Sequence, residues 1–252
     1  MGSSRFPGKP LAQILGVPMV GHVFFRTRMS SVLDEVCVAT CDREIAEYVT
    51  SIGGRAVMTS EAHERASDRV AEAADILERE GMMIENVVLI QGDEPMLEPN
   101  MIAESLTPLS VEPAVQVTNL LGRLKDPEEH RDLNEIKVVV DKNSDALYFS
   151  REPIPSAWRS YRDLPLYKQI CIISFRRKFL STFARLPQTP LEKVESIDML
   201  RVLEHGFKVR MVPTATDVYS VDTEQDLREV ETLMSADPLV RQYAHENLRY
   251  QR

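Results

Sequence analysis

The chain has 252 residues, of which 43% are hydrophobic and 27% charged, and a formal net charge of −9. That length supplies a core for one large α/β domain or two small ones, and the negative charge argues against a general nucleic-acid or anionic-membrane surface. No segment reaches the roughly 18 continuous apolar residues of a membrane span, the start does not read as a signal peptide, and Cys37, Cys41 and Cys171 are too scattered for a disulfide framework, so the expectation is a cytoplasmic protein with reduced thiols.

Helical and extended patterns alternate through the first hundred residues. Pro18 to Met29 reads as a helix entered at a proline, Glu35 to Thr40 as a short strand, and Asp42 to Ile52 as a helix closed by Gly53-Gly54. Arg55 to Thr59 reads as a strand, and Ser67 to Gly81 as an amphipathic helix capped by its serine. The apolar run Val87 to Ile90 predicts a strand buried on both faces. This alternation implies right-handed crossovers and a mostly parallel sheet. Further on, Ala114 to Asn119, Ile136 to Val140 and Ala146 to Phe149 predict antiparallel strands, with Asp141 to Asp145 as a hairpin loop. The proline- and aromatic-bearing stretch Arg151 to Tyr167 reads as a loop. Ile170 to Phe175 and Val209 to Val212 follow as strands, Ser196 to His205 and Thr223 to Met234 as helices, and the rest as a charged tail. With no repeat or linker, the chain reads as a single α/β domain over 1–252, with a β-rich insertion at about 112–195.

Three loops carry candidate chemistry. After the Val87 to Ile90 strand come Gln91-Gly92-Asp93-Glu94-Pro95, so Asp93 and Glu94 lie past the carboxyl end of a core strand, where open α/β sheets bind ligands. Read from the residues alone, these acids either cap the next helix or hold a divalent cation with a phosphate substrate. The N-terminal loop combines small residues, including Gly8, with the hydroxyls of Ser3 and Ser4 and the charges of Arg5 and Lys9, a composition suited to phosphates and equally to a solvated basic terminus. In the third loop Asp222 ends an extended segment before Thr223-x-x-Asp226, which has capping-box spacing.

The runs Ser-Ser-Arg-Phe-Pro-Gly-Lys-Pro-Leu (3–11), Gln-Gly-Asp-Glu-Pro (91–95), Ala-Leu-Tyr-Phe-Ser-Arg (146–151), Pro-Leu-Glu (190–192) and Val-Asp-Thr (221–223) resemble the motif set of the CMP-KDO synthetases, the 3-deoxy-manno-octulosonate cytidylyltransferases. The resemblance runs in order from residue 3 to about residue 230. It implies a Rossmann-like nucleotidyltransferase fold whose β-rich insertion forms a homodimer contact. It also implies transfer of CMP from CTP to a sugar acid, for surface polysaccharide or lipopolysaccharide synthesis. Carried over residue by residue, Asp93 and Asp222 would hold Mg²⁺, while Arg5 and Lys9 would stabilise the triphosphate and Ser3, Ser4 and Gly8 would cradle it. Gln91, His63, Ser67 and Arg69 would face the base; Arg151, Gln169, Glu192 and Glu195 would lie on the sugar side.

The chain also departs from that pattern. The family opens with a buried strand ending in Pro-Ala-Arg, whereas this sequence begins inside the following loop, which predicts a true start further upstream, a compensating contact or an inactive product. The family's His-x-Ser-Gly-Thr-(Asp/Glu)-Arg reads His63-Glu64-Arg65-Ala66-Ser67-Asp68-Arg69 here, which weakens the assignment of cytosine. A histidine and a glutamine expected near the sugar become Gln169 and Met199, which predicts a related acid or KDO variant as acceptor; the alternative is core variation at those positions. A non-catalytic nucleotide-binding relative and a nucleotidyltransferase for another base or sugar are the competing readings.

Overall fold

The computed structural model describes residues 6–161 and 164–250, the side chains of 245–250 excepted. In chain order, a 3₁₀ turn (Lys9–Leu11) precedes β1 (Gln13–Ile14), β2 (Val17–Pro18), α1 (Met19–Arg28), β3 (Cys37–Thr40), α2 (Arg43–Ser51), β4 (Arg55–Met58), α3 (Ala66–Arg79), β5 (Asn86–Ile90) and α4 (Pro99–Val111). There follow β6 (Val117–Arg123), α5 (Pro127–Arg131), β7 (Lys137–Val140), β8 (Ala146–Ser150), β9 (Tyr167–Arg176) and α6 (Arg177–Phe183). The remaining elements are α7 (Pro190–Glu195), α8 (Met199–Glu204), β10 (Arg210–Pro213), α9 (Glu224–Ser235) and α10 (Pro238–Tyr250). The mixed α/β class matches the sequence expectation. The chain divides into two compact units: one comprises the chain up to Met82, Ile90–Ala103 and the chain from Val218 onward; the other comprises Met83–Leu89 and Glu104–Asp217.

In the first unit, β3 and β4 pair in parallel, Cys37 to Thr40 against Arg55 to Met58. The β1–β2 hairpin turns at Leu15 (φ 49°) and Gly16 (φ 77°), the two left-handed positions that a tight hairpin needs. Its Ile14 enters a core shared with Phe24 and Phe25 of α1, Val230 and Met234 of α9, and Tyr243 of α10. The segment expected as a charged tail therefore contains a helix, because Val240 and Tyr243 recur three residues apart and bury against α1. Helix α3 begins one residue before the expected serine cap, and Ser67 is a buried residue of its first turn.

Tyr243 also closes a buried chain of hydrogen bonds with α1. The His22 Nε2 lies 2.8 Å from the Ile14 carbonyl, which only accepts, so Nε2 carries the proton. Nδ1 then accepts from the Tyr243 hydroxyl at 2.7 Å, and that oxygen in turn accepts from Arg26 Nε at 3.3 Å. Burial pushes the His22 pKa down from 6.5 to about 4, helped by the Arg26 charge and opposed by the Ile14 and Val17 backbone and by Asp237. The unfolded chain therefore binds a proton between pH 6.5 and about 4 that the folded chain does not. Stability from this site is complete above pH 6.5 and falls by about 3 kcal/mol as the pH drops to 4. In a His22→Gln variant that decline is absent, so the melting-temperature gap from wild type narrows across the window. A gap independent of pH would show that His22 is not the titrating group.

The second unit is built on a six-stranded mixed sheet in the order β10-β6-β9-β7-β8, with β5 also pairing β9. β10 lies parallel to β6, whereas β6–β9, β9–β7 and β7–β8 are antiparallel. The β7–β8 hairpin turns through residues 141–145 as expected. Between Asn119 and Leu120 the β6 register shifts, and the Asn119 amide donates to the Ile170 carbonyl at 2.6 Å and to the Ile172 carbonyl at 3.3 Å, covering acceptors that the irregular ladder leaves. Two expectations change here. In β5 only Leu89 is buried while Val87, Val88 and Ile90 are partly exposed, since β9 is its sole strand neighbour among the described residues. The helix expected over Ser196 to His205 is the shorter α8, and a separate, unexpected helix α7 precedes it, ending at Ser196, which adopts a left-handed φ of 59°. Thr189-Pro190-x-Glu192, a proline at the first helical position within capping-box spacing, was the available signal for α7.

Candidate active site

The first unit brings Lys9, Asp93 and Asp222 together. Gly8, at φ 75°, supplies the left-handed residue that opens the 3₁₀ turn, and the turn presents Lys9 from its first position. The Lys9 ammonium donates to Asp93 Oδ2 at 2.9 Å, to Asp222 Oδ1 at 3.3 Å and to the Val221 carbonyl at 2.9 Å. Its side chain is only 12% exposed, against 24% and 28% for the two acids, so the pairs are partly shielded from bulk water. The Val221 N–H donates to the Asp93 carbonyl at 2.9 Å, joining the two acidic loops through their backbones. Asp226 of α9 accepts from the N–H groups of Asp222 and Thr223, both at 2.8 Å, while Thr223 Oγ1 accepts from the Asp226 N–H. This capping box fixes Asp222 at the entrance of α9, whose N-terminal dipole favours negative charge. Glu94 is buried beside this loop. Ser3, Ser4 and Arg5 lie outside the described residues.

The segment expected to face the base is a second cluster of the first unit. His63 Nε2 pairs with Glu72 of α3 at 2.6 Å, and the same carboxylate accepts from the Ser60 N–H at 2.8 Å. The Ser60 N–H, followed by His63 and Arg69, holds the Glu72 carboxyl below the usual carboxylate range despite the opposing effect of burial. Arg69 donates to Thr59 Oγ1 at 2.7 Å and to the carbonyls of Ser60 and His63, each at 3.2 Å, so its guanidinium braces the 59–63 loop. Ser67 is fully buried, and Gln91 is half-buried ahead of Asp93.

The four sugar-side candidates belong to the second unit, which groups two of them. Glu195 accepts from Ser150 Oγ at 2.7 Å, Tyr148 Oη at 3.2 Å and the Arg151 N–H at 2.8 Å, while Arg151 Nε donates to the Glu195 carbonyl at 2.8 Å. Burial alone would raise the Glu195 carboxyl; these donors outweigh it and hold the group below the usual range. Tyr148 and Ser150 were the partners not singled out from the sequence, although their i, i+2 spacing places them on one face of β8. Gln169 donates to Asn119 Oδ1 at 2.5 Å. Glu192 is fully buried and paired bidentately with Arg201, at 2.9 Å to Nε and 2.6 Å to Nη2. Met199 is also fully buried, which accounts for an apolar residue at that position by packing. Lys137, fully buried as well, donates to the carbonyls of Asp132 at 2.6 Å, Glu135 at 2.7 Å and Arg151.

The family model for cytidylyltransferases matches residues 1–211. The chain belongs to the cytidylyltransferase family. It is 43% identical over 238 residues to a protein of Geobacter metallireducens named 3-deoxy-manno-octulosonate cytidylyltransferase, covering 90% of this chain and 92% of the relative. It is 41% identical over 239 residues to a Shewanella pealeana protein named 8-amino-3,8-dideoxy-manno-octulosonate cytidylyltransferase, covering 94% and 96% of the two chains. Among solved structures it resembles CMP:2-keto-3-deoxy-manno-octonic acid synthetase complexed with CTP, with a TM-score of 0.84 and 35% identity over 93% of this chain and 94% of that one. This cytidylyltransferase is thus a nucleotidyltransferase with the fold its motifs implied. No helix among its described residues is long and apolar enough to cross a membrane.

Proposed function

We propose that this cytidylyltransferase transfers CMP from CTP to the anomeric hydroxyl of a 2-keto-3-deoxy sugar acid of the manno-octulosonate type. The hydroxyl oxygen bonds to the α-phosphorus, the bond to the bridging oxygen of the β-phosphate breaks, the hydroxyl proton is lost and pyrophosphate leaves. The observation carrying this reading is the convergence of Asp93 and Asp222 on one cation, the Lys9 ammonium. Two hard oxygen donors flanking a single positive charge fit Mg²⁺, which would neutralise the phosphates and polarise the reacting phosphorus. Lys9 and Arg5 supply positive charge for the triphosphate, and Ser3, Ser4 and Gly8 its cradle. Gln91, His63 and Arg69 serve the base, while the fully buried Ser67 belongs to the first turn of α3. On the sugar side Arg151, Gln169 and Glu195 offer polar contacts, and the buried Glu192 holds α7 to α8 through Arg201.

The curated relatives are named for two acids that differ at C8, and the burial of Met199 removes one of the two departures that pointed away from KDO. The acceptor is accordingly KDO or its 8-amino counterpart. A homodimer formed through residues 112–195 is supported by the exposure of Leu147, Trp158 and Val194 in that region. The product feeds surface polysaccharide synthesis in the cytoplasm. Pyrophosphate release with Mg²⁺, each of the four nucleoside triphosphates and a panel holding both acids tests this. Release is expected with CTP and one of the two; turnover confined to another triphosphate, or binding of CTP without release, would overturn it.

A further inference from the structure

The turn carrying Asp93 is fastened at both ends. At its start the Asp93 carbonyl accepts from the Val221 N–H; at its far end the Leu97 N–H closes onto the Glu94 carbonyl at 3.2 Å, and the Leu97 carbonyl accepts from Arg26 Nη1 at 3.2 Å. Arg26 itself is fully buried on α1. Its Nη2 pairs with Asp237 ahead of α10, its Nε donates to Tyr243, and Nη1 also lies 3.6 Å from Glu98. One guanidinium thus ties the acidic turn to α1 and to a helix outside the matched family segment, which ends at residue 211. A bound, buried fork of this kind has one low-energy orientation, so the donor meeting Leu97 is fixed in space. We propose that Arg26, held by Tyr243 and Asp237, is a positioning residue that sets the Asp93 carboxylate for its cation.

This inference rests on the reading of Asp93 as a metal ligand, and the experiment separates the two. Mn²⁺ affinity is measured in the presence of CTP, without acceptor, for wild type and for Arg26→Lys, Tyr243→Phe and Asp93→Asn. Arg26→Lys keeps a charge for Asp237 but cannot also reach Leu97 and Tyr243. Tyr243→Phe keeps the ring stacked on Phe25, at 5.4 Å between centroids, and removes only the hydroxyl. Each is expected to weaken Mn²⁺ binding about tenfold or more, the usual effect of losing a group that orients a ligand. Adding either change to Asp93→Asn is expected to cost little further, because the effect passes through that carboxylate. A weakened Asp93→Asn variant beside Arg26→Lys and Tyr243→Phe variants that melt lower yet bind Mn²⁺ like wild type would overturn the inference alone. An Asp93→Asn variant that binds like wild type would remove the metal reading and this inference with it.

Discussion

Asp93→Asn is expected to lower kcat by roughly a hundred- to ten-thousand-fold, since the electrostatic help a bound cation gives is several kcal/mol and each 1.36 kcal/mol is tenfold. The isosteric amide keeps the shape of the loop but removes one of the two carboxylates that meet the Lys9 ammonium. The fold survives the change: Lys9 retains Asp222 Oδ1 and the Val221 carbonyl, and the Val221 N–H still reaches the residue 93 carbonyl, a backbone group. Melting temperature is therefore expected to stay within a few degrees of wild type, as for a partly exposed ion pair worth about 1 kcal/mol or less. Circular dichroism melts and pyrophosphate release on the same preparation check both halves. A stable Asp93→Asn variant with near-native turnover would eliminate Asp93 from the reaction.

The largest effect on stability is expected at the Glu192–Arg201 pair. Both side chains are essentially excluded from water, and the Arg201 guanidinium also lies 4.5 Å over the Phe183 ring. Glu192 further accepts from the Thr189 N–H at 3.2 Å, so its carboxylate joins the start of α7 to α8. Glu192→Gln takes from this buried guanidinium the carboxylate that holds it bidentately, which costs about 3–5 kcal/mol. For a chain of this size that lowers the melting temperature by roughly 10 °C. Replacing both partners with apolar residues of similar volume, Glu192→Leu with Arg201→Met, is expected to recover most of the loss, because the expensive state is a buried charge without this carboxylate and not the missing bridge. If the double variant melts lower than Glu192→Gln, the pair contributes through packing that the apolar residues do not reproduce.

These two sites differ in how far the residues announced them. The acidic loop was legible because Gln91-Gly92-Asp93-Glu94-Pro95 follows a short apolar run, and strand-end acids have few structural reasons to be there. Glu192 was legible only as part of a motif, and a motif does not say whether a carboxylate faces solvent, a ligand or a buried arginine nine residues on.

Local pattern by itself determined the α/β alternation, the β7–β8 hairpin, the amphipathic helices and the three loops, since turn chemistry and side-chain period act over a few residues. Composition set the limits on membrane and nucleic-acid partners. Only the tertiary structure decided that Lys9 sits between acids 84 and 213 positions away, that Met199 is core, that β5 has a single strand neighbour among the described residues, and that the final segment folds onto α1 through Tyr243. Each of those outcomes depends on desolvation and on which distant groups supply hydrogen bonds, quantities set by the whole packed chain and by no window of it.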